Sequence, residues 1–80
     1  MPLRVLLFAS YADALGASEI ELPIAAGATV RDVVAAVLSR AGAERLPQAP
    51  LVAVNQRYAA PDTPVSERDE VAIIPPVAGG

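Results

Sequence analysis

The sequence predicts an α+β domain in which one helix packs on one face of a single sheet, and three observations carry that expectation. Residues 18–22 alternate polar and apolar with a period of two, the pattern of a half-buried strand. Within residues 30–40 the apolar positions fall at Val30, Val33, Val34, Val37 and Leu38, one stripe of an α-helix. Short apolar runs at residues 3–9, 51–54 and 70–74 are too brief for helices and rich in strand formers. Strands on both sides of one amphipathic helix make a two-layer plan, and eighty residues suffice for one layer of each.

Taken in order, residues 3–9 form the first strand. Tyr11 to Leu15 form a helical turn that Gly16 ends, because glycine accepts the left-handed conformation without a Cβ clash. In the second strand Ile20 and Leu22 turn inward while Glu19 and Glu21 face water. Gly27 makes a turn, Thr29 caps the main helix, and Asp32 stands where a capping-box partner belongs, near the positive helix end. Gly42 terminates that helix, and Pro47 and Pro50 hold residues 43–50 in a surface loop. Residues 51–54 are the third strand, from which Asn55-Gln56-Arg57 turns tightly into Tyr58, asparagine being suited to positive φ. Pro61 and Pro64 mark an irregular crossing before residues 70–74 give the last strand, which Pro75 stops.

Composition narrows the function. With 54% hydrophobic residues and no apolar run near the length of about eighteen that spans a bilayer, the chain reads as one small soluble domain. Its first residues lack the separate charged, apolar and cleavage regions of a signal peptide, so a cytoplasmic location is expected. The absence of Cys and His removes disulfides, thiol nucleophiles, the usual zinc ligand sets and the commonest general base; no metal site is expected. A net charge of −3 with six Arg and no Lys gives no basic footprint for nucleic acid or anionic membrane. Two readings of the missing Lys stand: a compositional preference for Arg, or the removal of ε-amines that an activated carboxyl terminus would acylate.

The sequence closes on Pro75-Pro76-Val77-Ala78-Gly79-Gly80. The two prolines favour extended polyproline geometry, giving residues 75–80 a reach of roughly 15–20 Å at about 3.1 Å per residue. Gly79 and Gly80 carry no Cβ, so the backbone passes a narrow channel and leaves its terminal carbonyl open to attack. A carboxylate is a poor electrophile until activated, and adenylation with ATP is the standard solution. The chain is therefore divided into a domain of residues 1–74 and a reactive tail of residues 75–80, against the plainer reading of an ordinary frayed terminus.

Residues 52–56, Val-Ala-Val-Asn-Gln, and residues 69–80, Asp-Glu-Val-Ala-Ile-Ile-Pro-Pro-Val-Ala-Gly-Gly, resemble the small subunits of molybdopterin synthase. Phe8-Ala9 and Gly16 fit the opening strand and loop of that family. The resemblance implies a ubiquitin-like β-grasp fold with a mixed sheet of four to five strands and an extended C-terminal tail. It further implies a sulfur carrier: Gly80 is adenylated by an enzyme of the ubiquitin-activating kind, using ATP, and converted to a thiocarboxylate by a sulfur donor system. The tail, with Val77, Ala78 and Gly79 lining its passage, then inserts into the large synthase subunit, where sulfur attacks cyclic pyranopterin monophosphate. Catalytic side chains would belong to that large subunit, and no cofactor would be bound by this chain. Two departures from the family pattern are Arg68, where glycine commonly precedes the Asp-Glu pair, and Ala12-Asp13, where an Arg-Glu pair is common. A left-handed Arg68 would cost roughly 1–2 kcal/mol, so a different turn is expected there.

Phe8, Ile74, Pro75 and Pro76, with Val77, form the expected partner-binding patch beside the tail, since contiguous exposed apolar residues mark interfaces; core packing is the competing reading for each. Asp69 and Glu70 make a poor acid–base pair because neighbours on a strand point to opposite faces; they are expected instead to set the turn, to keep the sheet edge soluble, or to offer charge to an Arg of the activating enzyme. Arg57 and Arg68 are expected to be solvated. Two other functions share the plan: a sulfur carrier for thiazole synthesis, and a ubiquitin-like modifier joined to lysines of other proteins. A β-grasp binding module with an inert tail is the third.

Overall fold

A computed structural model describes residues 2–40, 46 and 49–76. Strands β1 (Pro2–Leu7), β2 (Glu19–Pro23), β3 (Leu51–Val54), β4 (Arg57–Tyr58) and β5 (Glu70–Ile74) form one sheet in the order β2-β1-β5-β3-β4. β1 and β5 run parallel at its centre and every other pairing is antiparallel. A short helix α1 (Ser10–Leu15) follows β1, and the main helix α2 (Val30–Leu38) lies between β2 and β3 in the chain. The α+β expectation and the count of four to five strands hold.

Strand periodicity builds the core. Leu3, Val5 and Leu7 of β1 and Val71 and Ile73 of β5 are 0–2% exposed, and they meet Val30, Val33 and Val37 of α2 at 1–2%. Burying each such side chain contributes about 1.5–3 kcal/mol. The exposed pair Arg4–Glu19, 3.1 Å apart, contributes at most about 1 kcal/mol, so apolar packing decides the fold. Leu22 is buried and Ile20 half-buried, as their alternation with Glu19 and Glu21 predicts.

The turns follow backbone chemistry. Gly16 adopts φ +71° and its N–H donates to the Ala12 carbonyl at 2.9 Å, closing α1. Gly27 turns at φ +84°. At the start of α2 the Asp32 carboxylate accepts the Thr29 N–H at 2.9 Å and the Thr29 hydroxyl at 3.2 Å, the reach-back half of a capping box. Helix N-termini leave donors unsatisfied, and here the crossing segment meets them: the Val30 and Arg31 N–H groups donate to the carbonyls of Thr63 and Pro61 at 2.9 and 2.8 Å. Asn55 (φ +52°) and Gln56 (φ +70°) form the predicted tight turn between β3 and β4, positive φ at both central positions matching the twist of a two-residue hairpin.

Two expectations are corrected or left aside. The first strand ends at Leu7 rather than Ala9: Ala9 takes φ +50° and ψ −122°, which breaks the extended ladder and swings the chain into α1. Phe8 is still tied to the sheet end, its N–H donating to the Ile73 carbonyl at 3.2 Å. Gly42, Pro47 and most of the loop of residues 43–50 lie outside the described residues; within them α2 closes at Ser39, whose hydroxyl donates to the Ala36 carbonyl at 2.7 Å.

Candidate functional site

The end of the sheet from which the tail departs is built by β5 and its neighbours. Ile73 faces the core, so Ile74 turns to the sheet face opposite α2 and stays half-buried. Pro75 and Pro76 have no N–H to continue a ladder, and β5 stops there, Pro75 half-buried and Pro76 exposed. Phe8, 46% exposed, is the residue after the pair Leu7↔Ile73, which places it at the same sheet end as Ile74. Of the predicted partner-binding residues the structure thus brings Phe8, Ile74, Pro75 and Pro76 to one end. Val77, Ala78, Gly79 and Gly80 lie outside the described residues.

The patch is wider than sequence reasoning indicated. Leu51 is the cross-strand partner of Ile74, and Leu6, Ala72 and Ala53 form a register row through β1, β5 and β3. Because the core-facing residues alternate with these, they belong to the open face of the sheet. The signal was present in the sequence: β1, β3 and β5 are apolar at both parities, whereas a sheet wetted on one face alternates. Arg4 bounds the row with carboxylates on either side, Glu19 at 3.1 Å and Glu70 at 3.9 Å.

The other carboxylate of interest sits at the opposite end of β5. Asp69 accepts from Asn55 Nδ2 at 2.8 Å and from the Ser66 N–H at 2.8 Å. The Asn55 amide first, and the Ser66 N–H after it, hold the Asp69 carboxyl below the ordinary aspartate range. Asn55 Oδ1 in turn accepts the Glu70 N–H at 3.0 Å. This network fixes the turn before β5 and the β3–β4 hairpin together, about 16 Å from the tail at roughly 3.3 Å per strand residue. Asp69 and Glu70 therefore set a turn and form no acid–base pair at the tail. Arg68 avoids positive φ, as expected once Asp69 closes the turn on Ser66, and Arg57 and Arg68 are exposed. Among the described residues no group of three potential ligands gathers to hold a metal ion, and no helix is long and apolar enough to cross a membrane.

One main helix held against a mixed sheet whose first and last strands run parallel at the centre is the ubiquitin-like β-grasp architecture. Within that class the chain belongs to the ThiS family, whose model matches residues 5–80. It is 33% identical over 79 residues to the molybdopterin synthase sulfur carrier subunit of Arabidopsis thaliana, covering 98% of this chain and 82% of that one. To the protein of the same name from Chlamydomonas reinhardtii it is 32% identical over 83 residues, covering 100% of both. The crystal structure of small archaeal modifier protein 1 from H. volcanii matches with a TM-score of 0.82 at 26% identity, covering 95% of this chain and 98% of that chain. The resemblance drawn from residues 52–56 and 69–80 is borne out by these relatives.

Proposed function

We propose that this chain is a sulfur carrier of molybdenum cofactor biosynthesis, the small subunit of a molybdopterin synthase. The observation that carries the reading is the likeness, along essentially the whole chain, to two relatives named as sulfur carrier subunits of that enzyme. Gly80 is the working group. Its carboxylate attacks the α-phosphorus of ATP on an activating enzyme, releasing pyrophosphate and leaving an acyl adenylate. A sulfur donor then displaces AMP, either as sulfide or as a persulfide whose acyl disulfide a thiol reductant cleaves, and the terminus becomes a thiocarboxylate. On a large subunit the thiocarboxylate sulfur forms a C–S bond at a side-chain carbon of cyclic pyranopterin monophosphate as that carbon loses an oxygen substituent, and water cleaves the acyl–sulfur bond to restore the Gly80 carboxylate. Two such deliveries complete a dithiolene. A chain without Cys, His or Lys suits this division of labour, since the proton transfers fall to its partners.

Phe8, Ile74, Pro75 and Pro76 dock the partner, and Val77, Ala78 and Gly79 pass through its channel, where small residues let the backbone approach closely. The test is intact-protein mass after incubation with ATP, an activating enzyme and a sulfur source. A sulfur-for-oxygen mass gain is expected in the full chain and not in one lacking Gly80; no gain with demonstrably active enzymes would overturn the reading.

A second reading has its own observation. The match to an archaeal modifier protein at TM-score 0.82 supports a role in which Gly80 is joined to lysines of other proteins. Amide-linked conjugates in cells producing the full chain, absent on deletion of Gly79 and Gly80, would favour it over the carrier.

A further inference from the structure

A cleft of about 320 Å³ opens between α2 and the β3–β4 side of the sheet. Val30, Val34, Pro50 and Pro61 give it apolar walls, and Arg31 and Tyr58 complete this part of its lining. Phe8, Ile74, Pro75 and Pro76 do not contribute to it, but Leu51, the cross-strand partner of Ile74, does. The volume lies at the lower end of the range of about 300–1,000 Å³ usual for ligand sites, so it suits an aliphatic side chain or two better than a large cofactor.

Two further features converge there. Arg31 is exposed, and among the described residues its guanidinium has no ion-pair or hydrogen-bond partner, as is also the case for Arg57 beside Tyr58, whereas Arg4 is paired with Glu19 and Arg40 donates to the Glu21 carbonyl at 3.5 Å. Tyr58 is 75% exposed on the edge strand β4. In the antiparallel hairpin the pair Ala53↔Tyr58 lies between Val54↔Arg57, beside the turn, and the Ala59 N–H bonded to the Val52 carbonyl at 2.9 Å. Hydrogen-bonded and non-bonded pairs alternate along such a ladder, so the N–H and C=O of Tyr58 point out from the free edge of the sheet.

The geometry points to a docking site for an extended, acidic segment of a partner protein: its backbone pairs with Tyr58, an aliphatic side chain enters the cleft, and a carboxylate meets Arg31. This is strand addition at a sheet edge, in which main-chain bonds give affinity and a side-chain pocket gives selectivity. Charge selects the occupant. The chain as a whole carries −3 and attracts basic peptides non-specifically, so a preference for acid arises locally, at the Arg31 guanidinium that lines the cleft. The site does not involve the chemistry of Gly80, and it meets the tail-end patch only at Leu51.

The test is an NMR titration of the full ¹⁵N-labelled chain with an end-blocked hexapeptide alternating leucine and glutamate, against one alternating leucine and lysine. Saturable shifts at the amides of Arg31, Val34, Tyr58 and Ala59 are expected with the glutamate peptide. The lysine peptide and an Arg31→Gln protein are each expected to bind roughly five-fold more weakly, the upper range for an exposed ion pair. Tyr58→Pro removes the outward N–H at an edge position that tolerates proline, and weakens binding while leaving the core amides of Val5 and Val71 unmoved. No saturable shifts, equal binding of the two peptides, shifts centred on Phe8 and Ile74, or full affinity in both variants would overturn the proposal.

Discussion

Ala9 holds φ +50° and ψ −122°, a conformation that glycine enters freely and alanine does not. Backbone strain of this kind costs on the order of 1–3 kcal/mol and persists where surrounding structure overdetermines it. Here the constraints are the Phe8 N–H bonded to the Ile73 carbonyl on one side and the Asp13 N–H bonded to the Ala9 carbonyl, at 3.0 Å, on the other. The Ala9→Gly protein is expected to be more stable by roughly 1 kcal/mol, part of the relief being offset by the extra freedom glycine has when unfolded. Thermal unfolding should register this as a rise of about 4–8 °C. The acid response belongs to Asp69. Its folded carboxyl titrates below the ordinary value, so its contribution to stability is complete above about pH 4 and is lost as pH falls through the folded value. Urea unfolding at pH 7 and again well below pH 4 should show a smaller loss for Asp69→Asn than for the parent chain. Residue-level chemistry of this sort was partly legible in advance: Asn55 announced its positive φ, and Asp69 its turn. The strain at Ala9 was not, because alanine carries no propensity for the conformation it is forced into.

At the level of elements, the β3–β4 hairpin stores a similar cost at Gln56, whose φ of +70° is unfavourable for any residue with a Cβ. Replacing Gln56 with glycine gives Asn-Gly, the preferred pair for this turn, and should stabilise the chain by roughly 0.5–1 kcal/mol; chemical denaturation would measure it as a higher midpoint at unchanged slope. The α2 span was readable because Val30, Val33 and Val37 repeat at helical spacing and all reach the core. What covers its N-terminus was not readable. Pro61 and Pro64 declare where a regular ladder cannot run, yet nothing local in residues 59–65 says that the carbonyls of Pro61 and Thr63 will land on the first helical donors. That pairing is a tertiary outcome of packing the crossing against α2. The limit was similar on the sheet: Leu6, Ala72 and Leu51 are apolar in sequence, but only the register through β1, β5 and β3 shows that they share the face opposite the helix.

The whole molecule separates two tasks in space, a closed core that holds the sheet and an open apolar face that leads to the tail. Ile74 lies on the boundary: it follows the fully buried Ile73, pairs with Leu51, and is itself half-exposed at the sheet end. An aspartate there keeps its charge in water, so Ile74→Asp is expected to fold, with the core amides of Val5 and Val71 unshifted. Its effect should fall on docking, where a carboxylate would have to be desolvated against an apolar partner surface. Binding to a molybdopterin synthase large subunit, measured by calorimetry, is expected to weaken at least ten-fold, a loss of about 1.4 kcal/mol or more. The Gly80 terminus is chemically untouched by that substitution, and a thiocarboxylate mass gain retained alongside lost docking would divide carrier chemistry from partner recognition. If the variant folds and binds with parental affinity, the apolar sheet end is not the docking surface, and Phe8, Pro75 and Pro76 lose that role with it.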